Sequence, residues 1–119
     1  MLDLNDASAI HAADPQQLLA QLLSLPQHLN DGWAAANAVD LPAAFAQIDR
    51  IVIVAVGRSA VASAVFAALI ANECLLPITL VRAEDLPIFA ANSRTLVVAV
   101  SASGQAEETL AAIQQAHTR

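Results

Sequence analysis

Two short stretches carry the residue types best suited to holding an anion: Gly57-Arg58-Ser59 and Ser101-Ala102-Ser103-Gly104. Each follows a run dominated by β-branched and small apolar residues, Ile51 to Val56 and Thr95 to Val100. Each also precedes a stretch with helical patterning, from Ala60 and from Gln105. A loop that leads from a buried strand into a helix presents unpaired backbone N–H groups and the positive end of the helix dipole. The hydroxyls of Ser59, Ser101 and Ser103 add donors that carry no charge. A phosphate is the anion this set suits best. A serine beside a helix start is most simply a cap, but two such loops after adjacent strands favour a ligand site. The familiar nucleotide motifs are absent: GxxxxGK[ST] needs a lysine, and the chain has none. GxGxxG needs three glycines where Gly57 stands alone.

These loops need a scaffold, and the periodicity supplies one. Ile51-Val52-Ile53-Val54-Ala55-Val56 reads as a strand buried on both faces of a parallel sheet. Residues 77–81 and 95–100 read as two further strands. Helices are expected from Ala60 to about Cys74 and from about Gln105 to His117. Glu107 and Glu108 then fall in a first turn, where acids suit the dipole. The stretch 83–94, AEDLPIFAANSR, reads as a loop or a short irregular crossover. Right-handed connections make this an α/β fold with a three-layer αβα parallel sheet. With strand one between strands two and three, the order reverses where both serine loops emerge, which is where open α/β sheets bind ligands.

Residues 1–49 read as an N-terminal helical segment, and 50–119 as the sheet domain. Asp14-Pro15 is a helix start signal. Leu18, Leu19, Leu22, Leu23 and Leu25 recur at helical spacing until Pro26, where the chain is expected to restart. Leu29 and Trp33 continue an apolar face, and Leu41-Pro42 opens a short turn. These helices have a packing explanation and carry no evident chemistry.

Composition limits the classes of function. The 119 residues are 57% hydrophobic, too apolar for a disordered chain. No apolar run approaches the roughly 20 residues that cross a bilayer. The N-terminus has acids where a secretion signal needs basic residues. The single cysteine, Cys74, fits a reducing compartment and a small core position. A cytoplasmic location is expected. Five arginines against eleven acids give a net charge of −6, which disfavours nucleic-acid binding; no membrane partner is expected either.

The run Ser101 to Leu110, SASGQAEETL, resembles the S-x-S-G-x-T-x-E-T phosphosugar signature of SIS (sugar isomerase) domains. With LLSLPQHLNDGW, IVIVAVGRSAVAS, VRAEDLP and TLVVAVSASGQAEETL, the chain resembles the N-terminal part of bifunctional phosphoglucose/phosphomannose isomerases, from about Asp14 to His117. The resemblance implies an SIS-type sheet of five strands in the order 2-1-3-4-5, of which this chain holds three. It implies a sugar-phosphate ligand, a homodimer or association with a second SIS domain, and no metal or organic cofactor. The activity implied is interconversion of glucose 6-phosphate or mannose 6-phosphate with fructose 6-phosphate.

Carried over by resemblance, Ser59, Ser101 and Ser103 are phosphate-binding serines, and Gly57 and Gly104 let backbone approach the ligand. The chain departs from the pattern at three positions. Arg58 and Ala55 stand where the family has glycines, and Ala106 stands where a threonine hydroxyl completes the site. Arg58 can pair with phosphate or obstruct the approach, and both outcomes stay open. The family's glutamate base and ring-opening histidine lie beyond the position of Arg119, so no catalytic residue is assigned. Glu107 and Glu108 are expected to be solvated, His11, His28 and His117 to lie at the surface, and Glu84 and Asp85 to sit in a solvated loop. The expected reading is the phosphosugar-binding front part of a larger isomerase, whose base lies in a missing C-terminal part. The alternative is a non-catalytic sugar-phosphate-binding regulatory module, or a degenerate SIS interaction module.

Overall fold

A computed structural model describes residues 3, 5–82 and 84–118. The chain divides into two units, Met1–Leu41 and Pro42–Arg119.

The first unit is helical. Helix α1 spans Ala7–Ala13, and the Asp6 carboxylate caps it by accepting from the Ser8 and Ala9 amides. Helix α2 spans Leu18–Asn37. The Asp14 carboxylate accepts from the Leu18 and Leu19 amides, both at 2.8 Å. The sequence places the helix start directly at Pro15. Instead Gln17 intervenes in a left-handed conformation, φ 54°, and the helix begins after it. Pro26 does not restart the chain. It sits inside one continuous helix, removing an amide donor without ending the element. Within the first unit, α2 contains no buried residue.

The second unit is the α/β sheet. After a 3-10 turn at Ala43–Gln47 come β1 (Arg50–Ala55), α3 (Gly57–Ile70), β2 (Ile78–Val81), a 3-10 turn at Ile88–Ala90, β3 (Thr95–Val100) and α4 (Glu107–Thr118). The strands are parallel in the order β2-β1-β3. Ile51 pairs with Ile78 on one side and Leu96 on the other, and Ala55 pairs with Val100. Central β1 is buried on both faces, as its unbroken apolar run predicts. Val52 and Val54 pack with Val81, Leu86, Ala90 and Ala112 of α4. On the opposite face Ile53 shares a groove with Ala62, Ser63 and Phe66 of α3. Helix, sheet and helix therefore form three layers.

The element boundaries move by a few residues from those expected. Gly57-Arg58-Ser59 is the first turn of α3 rather than a separate turn. That helix ends at Ile70, where the Glu73 and Cys74 amides close on its carbonyl at 2.9 and 2.8 Å. Cys74 is half-buried rather than a core residue. The crossover 83–94 holds the 3-10 turn at Ile88–Ala90, and its Ala83 lies outside the described residues.

At the amino end of the sheet, Asp49 joins the starts of two strands. Its carboxylate accepts from Arg50 Nε at 2.8 Å and Arg94 Nε at 3.3 Å, and its amide donates to the Arg94 carbonyl. The Arg50 guanidinium holds the Asp49 carboxyl below the usual aspartate range, with the charge of Arg94 adding to the effect. Among the described residues, β3 pairs with no strand on its outer side. No helix of the described residues is long and apolar enough to cross a membrane.

Candidate functional site

The register of β1 against β3 brings the two loops together. Ala55 and Val100 are paired neighbours, so the chain leaves both strands at the same end and side by side. A cavity of about 220 Å³ lies between the exits, lined by Val56, Arg58, Ser59, Val100, Ser101, Ala102, Ser103 and Ala106. Four of the six residues singled out by sequence line it. The other two, Gly57 and Gly104, hold the bends beside it.

Those glycines are required by backbone geometry. Gly57 has φ 56° and Gly104 has φ 68°, both in the left-handed region where a Cβ is penalised. A Cβ at either position would meet nothing within 4 Å. Crowding is thus not the reason for glycine, and the space beside both bends is open to a ligand.

On the α3 side, Val56 occupies the N-cap and offers no side-chain hydrogen bond. The first-turn amides of a helix have no intrahelical acceptor, so those of α3 present donors at the cavity edge. Ser59 is half-buried there, and its carbonyl accepts from the buried Ser63 hydroxyl at 2.8 Å. Arg58 is exposed and, among the described residues, is the one charged residue in the cavity lining.

On the β3 side, the serines shape their own loop. Ser101 Oγ accepts from the Gly104 amide at 3.0 Å, and Ser103 Oγ accepts from the Gln105 amide at 3.1 Å. A hydroxyl that accepts still has its proton to donate. The loop hydrogen bonds therefore fix the oxygens while leaving the O–H groups able to point at an anion. Ala106 precedes α4, and its carbonyl accepts from Leu110 at 3.0 Å. Being alanine, it adds no hydroxyl to the wall.

Among the described residues, no carboxylate or imidazole lines this cavity. Glu107 and Glu108 lie in the first turn of α4, outside the lining. His11, His28 and His117 are exposed. Among the described residues no cluster of His, Cys, Asp and Glu could hold a metal ion. A larger groove of about 390 Å³ lies beside α1 and α2 and includes His11 and Asp14. Its carboxylate is already engaged by the Leu18 and Leu19 amides, which hold the Asp14 carboxyl below its usual range.

No protein-family model matches the chain, and no solved structure matches it. Over 102 residues the chain is 28% identical to the bifunctional phosphoglucose/phosphomannose isomerase of Caldicellulosiruptor bescii. The matched region takes in 86% of this chain and 30% of that protein. The similarity is to an isomerase. The chain spans under a third of the length of this relative.

Two residues of α4 beyond those picked out by sequence stand out. Gln115 of α4 holds the crossover: its Oε1 accepts from the Leu86 amide, and its Nε2 donates to the Glu84 carbonyl and Asp85 Oδ1. Asp85 is thereby held by α4 and is absent from the cavity lining. A lone glutamine in a helix gives no sequence signal for such a role. Thr109 is 2% exposed, and its hydroxyl has no hydrogen-bond partner. It stands in the SASGQAEETL run, which is the only hint the sequence offers.

Proposed function

We propose that the cavity between the exits of β1 and β3 binds the phosphate of a sugar phosphate. In this reading the chain is the phosphosugar-binding portion of an isomerase of the phosphoglucose/phosphomannose type. The observation that carries it is the convergence of Ser59, Ser101, Ser103 and Arg58 on one cavity at the carboxyl ends of adjacent parallel strands. The hydroxyls of the three serines donate to phosphate oxygens, joined by the first-turn amides of α3. Each hydroxyl bonded to a charged group contributes roughly 1.5–3 kcal/mol. Of the two roles open to Arg58, the open lining favours pairing: its guanidinium supplies the charge that the missing threonine hydroxyl at Ala106 does not.

Aldose–ketose interconversion moves a proton between adjacent carbons and needs a base within hydrogen-bond reach. Among the described residues the lining contains no such group, and in this reading the base comes from elsewhere in the protein. The same observation favours one second reading, a sugar-phosphate-binding module without turnover of its own. The two readings separate on addition of the remaining chain of the parent protein, if one is encoded downstream, because only the first then restores isomerisation.

Titration calorimetry tests the shared step. Fructose 6-phosphate gives a saturable heat with the 119-residue chain, and fructose gives none. Equal responses to the two, or no heat at millimolar fructose 6-phosphate, would remove the phosphate site from the account.

A further inference from the structure

The polar side chains around the cavity between β1 and β3 are donors. All eight lining residues belong to the unit Pro42–Arg119, so the set is complete within that unit. The Arg58 guanidinium has only N–H groups to offer. Ser101 and Ser103 each accept from their own loop, at 3.0 and 3.1 Å, and keep a proton to donate. Ser59 adds a third hydroxyl, while its carbonyl is occupied by the Ser63 hydroxyl at 2.8 Å. The Val56 and Ala106 carbonyls are occupied as well, by the Ala60 and Leu110 amides. The first-turn amides of α3 complete the row of donors.

The titratable groups of the surrounding elements stand elsewhere. Helix α3 carries no charge from Ser59 to Ile70. Glu107 and Glu108 lie outside the lining, and His117 is at the far end of α4, in a groove shared with Thr95. Asp49, Arg50 and Arg94 pair at the amino end of the sheet, opposite to the cavity. Beyond β2, Arg82, Glu84 and Asp85 are absent from the lining, and the Asp85 carboxylate accepts from Gln115 Nε2. Among the described residues, no side chain of this unit is therefore placed in the lining to take a proton from a bound ligand.

Donors of this kind complement a group that only accepts. A phosphate monoester is such a group above its second ionisation, at about pH 6. Below it, one of the three oxygens that face the cavity carries a proton. A charge opposite Arg58 and a charge-assisted hydrogen bond are then lost together, and the new O–H finds no side-chain acceptor. We propose that the cavity selects a phosphate monoester as its dianion, and that it also takes sulfate, a tetrahedral dianion that carries no proton. This selection rests on the phosphate reading above and extends it to the ionisation state and the class of oxyanion admitted.

Titration calorimetry on the full chain compares fructose 6-phosphate with sodium sulfate, in a buffer free of both anions. Between about pH 7.5 and pH 5 the Kd of fructose 6-phosphate rises about tenfold, following the fraction of dianion. Sulfate keeps its Kd over the same range, displaces fructose 6-phosphate at the higher pH, and gives no heat with the Ser101→Ala/Ser103→Ala variant. An ionisation of the protein acts on both ligands, so the difference between them reports the proton on the phosphate. If far-UV circular dichroism shows the fold lost at the lower pH, the displacement by sulfate decides alone. Three results overturn the selection while leaving the phosphate site in place. These are a fructose 6-phosphate Kd that does not change or falls in step with that of sulfate, no displacement by sulfate, and a sulfate heat that survives in the double serine variant. No heat from fructose 6-phosphate at millimolar concentration and either pH removes the phosphate site itself, and the selection with it.

Discussion

Ser101 and Ser103 each serve two purposes with one oxygen. Accepting from the Gly104 and Gln105 amides fixes the loop, and the remaining O–H is directed to the ligand in the proposed complex. Ser101→Ala and Ser103→Ala are each expected to weaken fructose 6-phosphate binding by about tenfold or more, the equivalent of one charge-assisted hydrogen bond. Gly104 tests the scaffold separately. Its φ of 68° with open space around the Cβ position predicts that Gly104→Ala suffers only the backbone penalty. That is a loss of roughly 1–2 kcal/mol in stability, read from the urea midpoint. Asp49 provides the pH test. Its carboxyl titrates below the ordinary aspartate value in the folded chain, so its contribution is present above that value and is lost as pH falls through the folded one. The gap in thermal midpoint between wild type and Asp49→Asn is therefore expected at pH 7 and should narrow as pH falls below the ordinary aspartate range.

At the scale of elements, α2 shows how far a local rule extends. Pro26 lacks the amide its position would use, and an interior proline costs about 3 kcal/mol relative to alanine in a helix. Pro26→Ala is expected to raise both the helical circular dichroism and the melting temperature of the first unit. The opposite change, fewer helical residues, would argue that the helix is broken there. Proline was legible as a breaker because breaking is its usual effect. The long leucine-rich helix runs through it nonetheless. Helix α1 was equally available, since Asp6 precedes ASAIHAA as a cap, but seven residues give too little periodicity to register. The strands were legible because β1 is buried on both faces, so every position had to be apolar. The serine loops were legible as a pair because parallel order puts both at one end of the sheet. Gln115 and Thr109 were not. The hydrogen bonds of Gln115 and the burial of Thr109 arise from what lies beside α4 in space, which spacing along the chain does not encode.

At the scale of the whole molecule, several described elements expose apolar side chains, among them the leucine row of α2, where Trp33 is 73% exposed, the outer row of α3, and the loops holding Leu75 and Ile88, while β3 has an unpaired side among the described residues. An open strand edge invites pairing with another chain, and exposed apolar rows invite packing. The chain spans 30% of the length of the isomerase it is similar to, and its lining shows no base among the described residues. The purified chain is accordingly expected to bind fructose 6-phosphate without converting it to glucose 6-phosphate or mannose 6-phosphate at any enzyme concentration. Turnover by the chain alone would show that a base is present which the cavity lining does not contain.

The central claim is that one cavity, at the exits of β1 and β3, receives the phosphate. Amide NMR of the ¹⁵N-labelled chain during titration with fructose 6-phosphate locates the ligand directly. The account predicts saturable shifts concentrated at Gly57 to Ser59 and Ser101 to Ala106, absent when fructose is added and absent in the Ser101→Ala/Ser103→Ala variant. Shifts centred elsewhere, or none at millimolar ligand, would contradict it.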